Sequence, residues 1–115
     1  MPIPKRAARQ AAVVRGSRSG RPIMALLDLL GRRWTLRILW ELREGRKLSS
    51  RELRTACDEA SPTVLQARLS ELREAGFLDL AAAGGYSLTP PGHELCEMVL
   101  PLHRFAEKWH KARAN

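Results

Sequence analysis

The sequence predicts a mainly α-helical fold with one small β-hairpin, and three observations carry that expectation. Leu is abundant while aromatics make up only 5% of the chain, so the core should be aliphatic. Most apolar positions recur at helical spacing, in stripes bounded by Ser, Pro and Gly. Two short alternating runs, Phe77-Leu78-Asp79-Leu80 and Tyr86-Ser87-Leu88, flank Ala81-Ala82-Ala83-Gly84-Gly85, which is the pattern of a hairpin around a Gly-Gly turn. A chain of 115 residues has room for one domain with one modest core.

Charge divides the chain in two. Formal net charge is +8, yet residues 1–21 hold six of the 20 basic residues and none of the 12 acids, leaving the remainder at +2. Residues 1–20 are Ala/Arg/Ser/Gly-rich with no apolar period and read as a disordered basic arm, either a solvated tail or a phosphate-contacting one. Residues 21–115 read as the folded domain. The overall basic balance favours a polyanionic partner.

The first helix starts at Pro22, carries Met24, Leu26, Leu27 and Leu30, and stops at Gly31. A second spans Trp34 to Arg43, with Trp34, Ile38 and Leu42 at i, i+4 and i+8, and closes at Gly45. Ser49 and Glu52 form an S-x-x-E capping box, and Leu48 and Leu53 occupy the N′ and N4 positions of a hydrophobic staple, predicting a short helix from about Ser50 to Cys57. After the turn Asp58-Glu59-Ala60, Ser61 is placed to cap a further helix, Pro62 suits its first position and Gly76 its C′ position. A last helix begins after the cap Thr89 and keeps an apolar stripe to Trp109, interrupted by Pro101.

The Ser61 helix is the informative one. Leu65, Leu69 and Leu72 form its buried stripe, while Thr63, Gln66, Ala67, Ser70 and Glu74 fall opposite. Short hydroxyls, an amide and an Ala suit a helix that lies deep in a DNA major groove and reaches base edges. Helix, short turn and helix, followed by a hairpin, is the layout of a winged helix-turn-helix, with the Ser61 helix as the reader.

These segments together resemble the HxlR-type branch of winged-helix transcription regulators, relatives of the MarR group. The resemblance is carried by Ala25-Leu26-Leu27-Asp28-Leu29-Leu30-Gly31-Arg32-Arg33-Trp34-Thr35-Leu36, by Ser61 to Leu69, by Glu71-Leu72 with Ala75-Gly76, and by Tyr86-Ser87-Leu88-Thr89 with Gly92. It implies a bacterial, cytoplasmic, nucleoid-associated repressor or activator that binds double-stranded DNA at a pseudo-palindromic operator as a homodimer, through N- and C-terminal dimerisation helices. Arg68 matches a basic residue usual in the reader helix. The expected DNA contacts are Ser49 and Arg51, then Ser61, Thr63, Gln66, Ala67, Arg68, Ser70 and Arg73 on the reader helix (about 62–75), then Gly84 and Gly85 in the wing (78–88). The expected dimer interface is Met24 and Leu27 with Leu95, Val99, Leu102, Phe105, Ala106 and Trp109. A small-molecule effector of unknown identity fits family habit, with Trp34, Trp40 and the last helix lining an apolar pocket.

Two departures stand out. Redox-sensing members carry Cys before Pro at the first core helix, where this chain has Arg21-Pro22. The wing is also shorter than usual, so few minor-groove contacts are expected from it.

Other chemistries find little support. No nucleophile has a base nearby in sequence, so no catalytic residue, enzyme activity or cofactor is expected. Cys96, His103 and His110 lie seven apart on one helix, roughly 10.5 Å per step, too far to share a zinc with ligands at about 2.0–2.3 Å; no metal site is expected. No apolar run approaches the roughly 20 residues of a membrane span, and no secretory signal is present. The competing reading is a winged-helix module that docks protein or RNA without operator specificity. Stacking-type RNA modules need exposed aromatics on strands, and only Tyr86 qualifies.

Overall fold

The computed structural model describes residues 20–114; the basic arm expected at 1–20 falls, but for Gly20, outside the described residues. The elements are α1 (Pro22–Leu30), α2 (Thr35–Glu41), α3 (Ser50–Ala56), α4 (Pro62–Glu74), β1 (Leu78–Leu80), β2 (Tyr86–Leu88) and α5 (Pro90–Ala114). The fold is therefore mainly helical with a two-stranded hairpin, as the sequence predicts.

The core collects the stripes. Ile38, Leu39 and Leu42 from the α2 region meet Leu53 and Cys57, then Leu65, Leu69 and Leu72 of α4, with Leu78, Tyr86, Leu88 and Leu95 closing the far side. Cys57 is completely buried and packs as a small apolar side chain.

The capping box at α3 is fully formed: Ser49 Oγ accepts from the Glu52 N–H at 3.1 Å, and Glu52 Oε1 accepts from the Ser49 N–H at 2.9 Å. Ser61 occupies the N-cap position of α4, but its hydroxyl makes no capping bond, which corrects the expected cap; Pro62 starts the helix without it. The other end behaves as predicted. Gly76 turns left-handed (φ +88°), its N–H donates to Arg73 at 3.0 Å and the Phe77 N–H to Leu72 at 2.9 Å, a Schellman closure.

At α2 the expected start moves by one residue. Trp34 is left-handed, with φ 77°, a conformation costing roughly 1–2 kcal/mol for a side chain with a Cβ. Its ring packs against the core, and its carbonyl still accepts the first helical bond, from the Ile38 N–H at 2.9 Å. Partial burial of Trp34 against the core offsets the backbone cost.

The hairpin pairs Leu78 with Leu88 and Leu80 with Tyr86, antiparallel. A third segment joins it: Leu48 bridges Tyr86, with N–H···O distances of 3.0 and 2.7 Å in the two directions. Thr89 Oγ1 then accepts from the Gly92 N–H at 3.1 Å and starts α5, which passes through Pro101 without a break. Beyond Pro101 every described residue of α5 is exposed.

Candidate nucleic-acid interface

The α3–α4 pair presents one open helix face. Leu65, Leu69 and Leu72 are buried on its inner side, so the roughly 100° helical step turns Thr63, Gln66, Ala67 and Ser70 outward. All four are exposed, and with Pro62 they line one shallow concavity. The side chains of Thr63, Gln66 and Ser70 hold no partner within the described residues, so their donors and acceptors are available to a ligand. The turn that sets the helix angle is tight: Asp58 and Glu59 are both left-handed, and the Glu59 N–H donates to Arg54 at 2.8 Å.

The expected contact residues divide once their partners are known. Arg51, at the first turn of α3, and Arg73, near the end of α4, are exposed and form no ion pair among the described residues. Ser49 is committed to the capping box, while Ser61 is exposed beside the reader face. Gly84 forms the wing tip with φ +98°, and Gly85 lies under the Lys47 stem, where an added Cβ would stand 2.6 Å from Cγ. Lys47 thus brings to the wing a charge with no ion pair among the described residues. The residue reading missed it because its only signal is the Leu48–Tyr86 pairing, which a single residue cannot announce by periodicity.

Arg68 points elsewhere. Its Nη1 lies 2.7 Å from both carboxylate oxygens of Glu71, and its Nε donates to the Arg33 carbonyl at 3.2 Å. Glu71 also holds Arg32 at 2.9 Å, and Arg32 reaches back to Asp28 at 3.1 Å. Partial burial works against the Arg32 charge, but hydrogen bonds to Asp28 and Glu71 outweigh it and raise its pKa. The group ties α1 and the α1–α2 turn to the reader helix.

With this geometry in place, the comparisons are specific. A model of the HxlR-like helix-turn-helix family matches residues 29–114. The chain belongs to that family. An uncharacterised HTH-type transcriptional regulator from Synechocystis is 28% identical over 94 residues, covering 76% of this chain and 69% of its own. The quinone-bound YodB from B. subtilis superposes with TM-score 0.69 at 26% identity, over 76% of this chain and 98% of that one. A possible HxlR family transcriptional factor from Thermoplasma volcanium shares the fold, with TM-score 0.69, 23% identity and coverage of 79% and 86%. The protein is thus an HxlR-type, DNA-binding member of a transcription-regulator family.

In this HxlR-type chain two further surfaces are exposed. Ile23, Met24 and Leu27 on α1, and Met98, Leu102, Phe105 and Trp109 on α5, are large apolar side chains at least 38% accessible; Ala106 is exposed beside them. Leu95 is not among them: it is 7% exposed and belongs to the protomer's core, against which Val99 also packs. Both were expected at the dimer interface; Leu95 instead covers the protomer's own core, while Val99 is only partly buried. Trp40 sits between the Arg43 guanidinium, 3.9 Å from its ring, and the His103 ring at 4.4 Å. Clefts of about 470 and 550 Å³ flank it along the α2–α5 seam, and Trp34 lines neither.

Burial pushes the Cys57 and Cys96 thiols up, and Cys96 Sγ donates to the Leu39 carbonyl at 3.5 Å. Among the described residues no cluster of His, Cys, Asp or Glu is arranged to hold a metal, and no helix is long and apolar enough to cross a membrane.

Proposed function

We propose that this protein is an operator-specific transcriptional regulator that works as a homodimer in the bacterial cytoplasm. The observation that carries the reading is the α4 face, where Thr63, Gln66 and Ser70 are exposed and without partners among the described residues on a helix whose opposite side is buried core. Gln66 has the amide geometry for a bidentate pair with adenine, worth roughly 1–3 kcal/mol of discrimination. Ala67 offers a small apolar contact beside it. Ser61, Arg51, Arg73 and Lys47, with Gly84 and Gly85 at the wing, contact the sugar-phosphate backbone and fix register without reading sequence.

Met24, Leu27, Leu102, Phe105, Ala106 and Trp109 form the interface with a second copy, since an apolar face of this extent marks an interface. A two-fold dimer would place its reader helices in successive major grooves about 34–36 Å apart. The clefts at Trp40 lie on the seam between the reading domain and the dimer helix, a position suited to an effector.

Selection of bound duplexes from a random library by the purified protein tests the reading. A palindromic consensus with half-sites one helical turn apart is expected, and Gln66→Ala should relax it at one or two base pairs. Enrichment of no sequence, with binding insensitive to salt, would favour a protein-docking module instead.

A further inference from the structure

The reader helix carries two arginines, and among the described residues only one of them is without a partner. Among the described residues Arg73 has no ion pair, whereas Arg68 is held at both ends of its guanidinium, by Glu71 at 2.7 Å and by the Arg33 carbonyl at 3.2 Å. Glu71 itself lies on the reader helix, one turn from Ala67, a place where a carboxylate repels the polyanion that the helix serves. Its side chain retains 26% of its accessibility, and those of Arg68 and Arg32 retain 20% and 33%. Pairs this sheltered are screened less by salt than fully exposed ones. Asp28, Arg32, Glu71 and Arg68 make up two cations and two anions, so the cluster is neutral as built.

We infer that Glu71 is a specificity-determining positioning residue, which restrains Arg68 and Arg32 so that they do not add sequence-blind phosphate contacts to those of Arg51, Arg73 and Lys47. The inference rests on the DNA-reading assignment above and deepens it. An arginine released beside the groove would neutralise a phosphate on any duplex, tightening wrong and right sites together. With it held, the base-facing side chains Thr63, Gln66 and Ser70 contribute a larger share of the total binding. Discrimination is a difference of affinities, and lowering the sequence-blind part improves it against a large excess of competing sites.

The test is a double-mutant cycle, read as salt dependence of binding to two probes: the duplex selected from the random library and a scrambled duplex of equal length. Glu71→Gln keeps the volume and an acceptor oxygen while removing the charge. It should tighten binding to the scrambled duplex, steepen the salt slope by about 0.9 per arginine released, and lower the ratio of selected to scrambled affinity severalfold. Arg68→Ala alone should leave the slope unchanged, and in the Glu71→Gln background it should remove the share of the gain that Arg68 contributes, leaving at most that of Arg32. If Arg68→Ala alone flattens the slope by about 0.9, Arg68 already contacts a phosphate and the inference is wrong; this arm stands even if Glu71→Gln fails to fold. A Glu71→Gln protein that keeps the wild-type ratio overturns the inference but not the DNA-reading assignment. A wild-type protein with no preference between the probes overturns both.

Discussion

A Cβ on Gly92 would stand 2.2 Å from the carbonyl oxygen of Phe77. The first turn of α5 therefore rests directly on the backbone entering the wing, an approach only glycine allows. The obstructing atom is backbone that already accepts from the Thr89 N–H at 3.0 Å, so it cannot yield cheaply. Gly92→Ala should destabilise the protein by about 1–3 kcal/mol, the range of an overpacked interior. Urea unfolding would measure it, and an unchanged midpoint would show that α5 can shift without cost.

The capping box gives the protein an acid-sensitive element. The Ser49 backbone N–H and then its hydroxyl hold the Glu52 pKa below its ordinary 4.5. A depressed carboxylate contributes stability that is present above its unfolded pKa and is lost as pH falls through the folded one. Glu52→Gln should therefore flatten the pH dependence of stability below 4.5 and lower stability at neutral pH, where the contribution of the charged carboxylate is fully present. Ser49→Ala should cost about 1 kcal/mol at neutral pH through loss of the cap. Thermal unfolding of both variants between neutral and acid pH decides the matter.

Both thiols should be sluggish. Burial raises their pKa values, and the thiolate is the reactive form. Iodoacetamide at neutral pH should label Cys57 only as the protein unfolds, and Cys96 more slowly than a free thiol. Since Arg21 stands where redox-sensing relatives have Cys, peroxide treatment should leave duplex affinity unchanged. A reversible loss abolished by Cys96→Ser would instead place a sensor in the cleft beside Trp40.

The exposed end of α5 should govern assembly. Trp109→Ala with Leu102→Ala should weaken self-association by about 2 kcal/mol or more, as expected for a buried aromatic anchor and its neighbour. Sedimentation would show a shift toward monomer. Both side chains are at least half exposed in the protomer, so the melting temperature of the isolated domain should hardly move. A large drop in protomer stability would assign this stripe to the fold.

What was legible in the sequence was local. The Ser49–Glu52 box, Pro62 and Gly76 at the ends of α4 and the Thr89 cap each depend on residues within a turn of one another, and the hairpin spans only Leu78 to Leu88. Contacts between distant segments were not. Arg68 meets the Arg33 carbonyl across 35 positions, and nothing in the spacing of either residue announces it. The α5 stripe likewise keeps its spacing on both sides of Pro101, yet Leu95 is core and Leu102 is open, because the divide depends on where the domain ends beneath the helix. Trp34 shows tertiary packing overriding backbone preference, which a helical period cannot reveal.

The bridge between Leu48 and Tyr86 bears on the order in which the molecule assembles. The two residues are 38 positions apart, and both α3 and α4 lie within the loop they close. That closure costs chain entropy before its two hydrogen bonds repay any of it, so we expect the helices to dock first and the wing to be sealed afterwards. Substitutions at this rung should hasten unfolding and leave the folding rate alone. Their kinetic signature would be φ-values near zero at Leu48 and Tyr86 beside larger ones along α4.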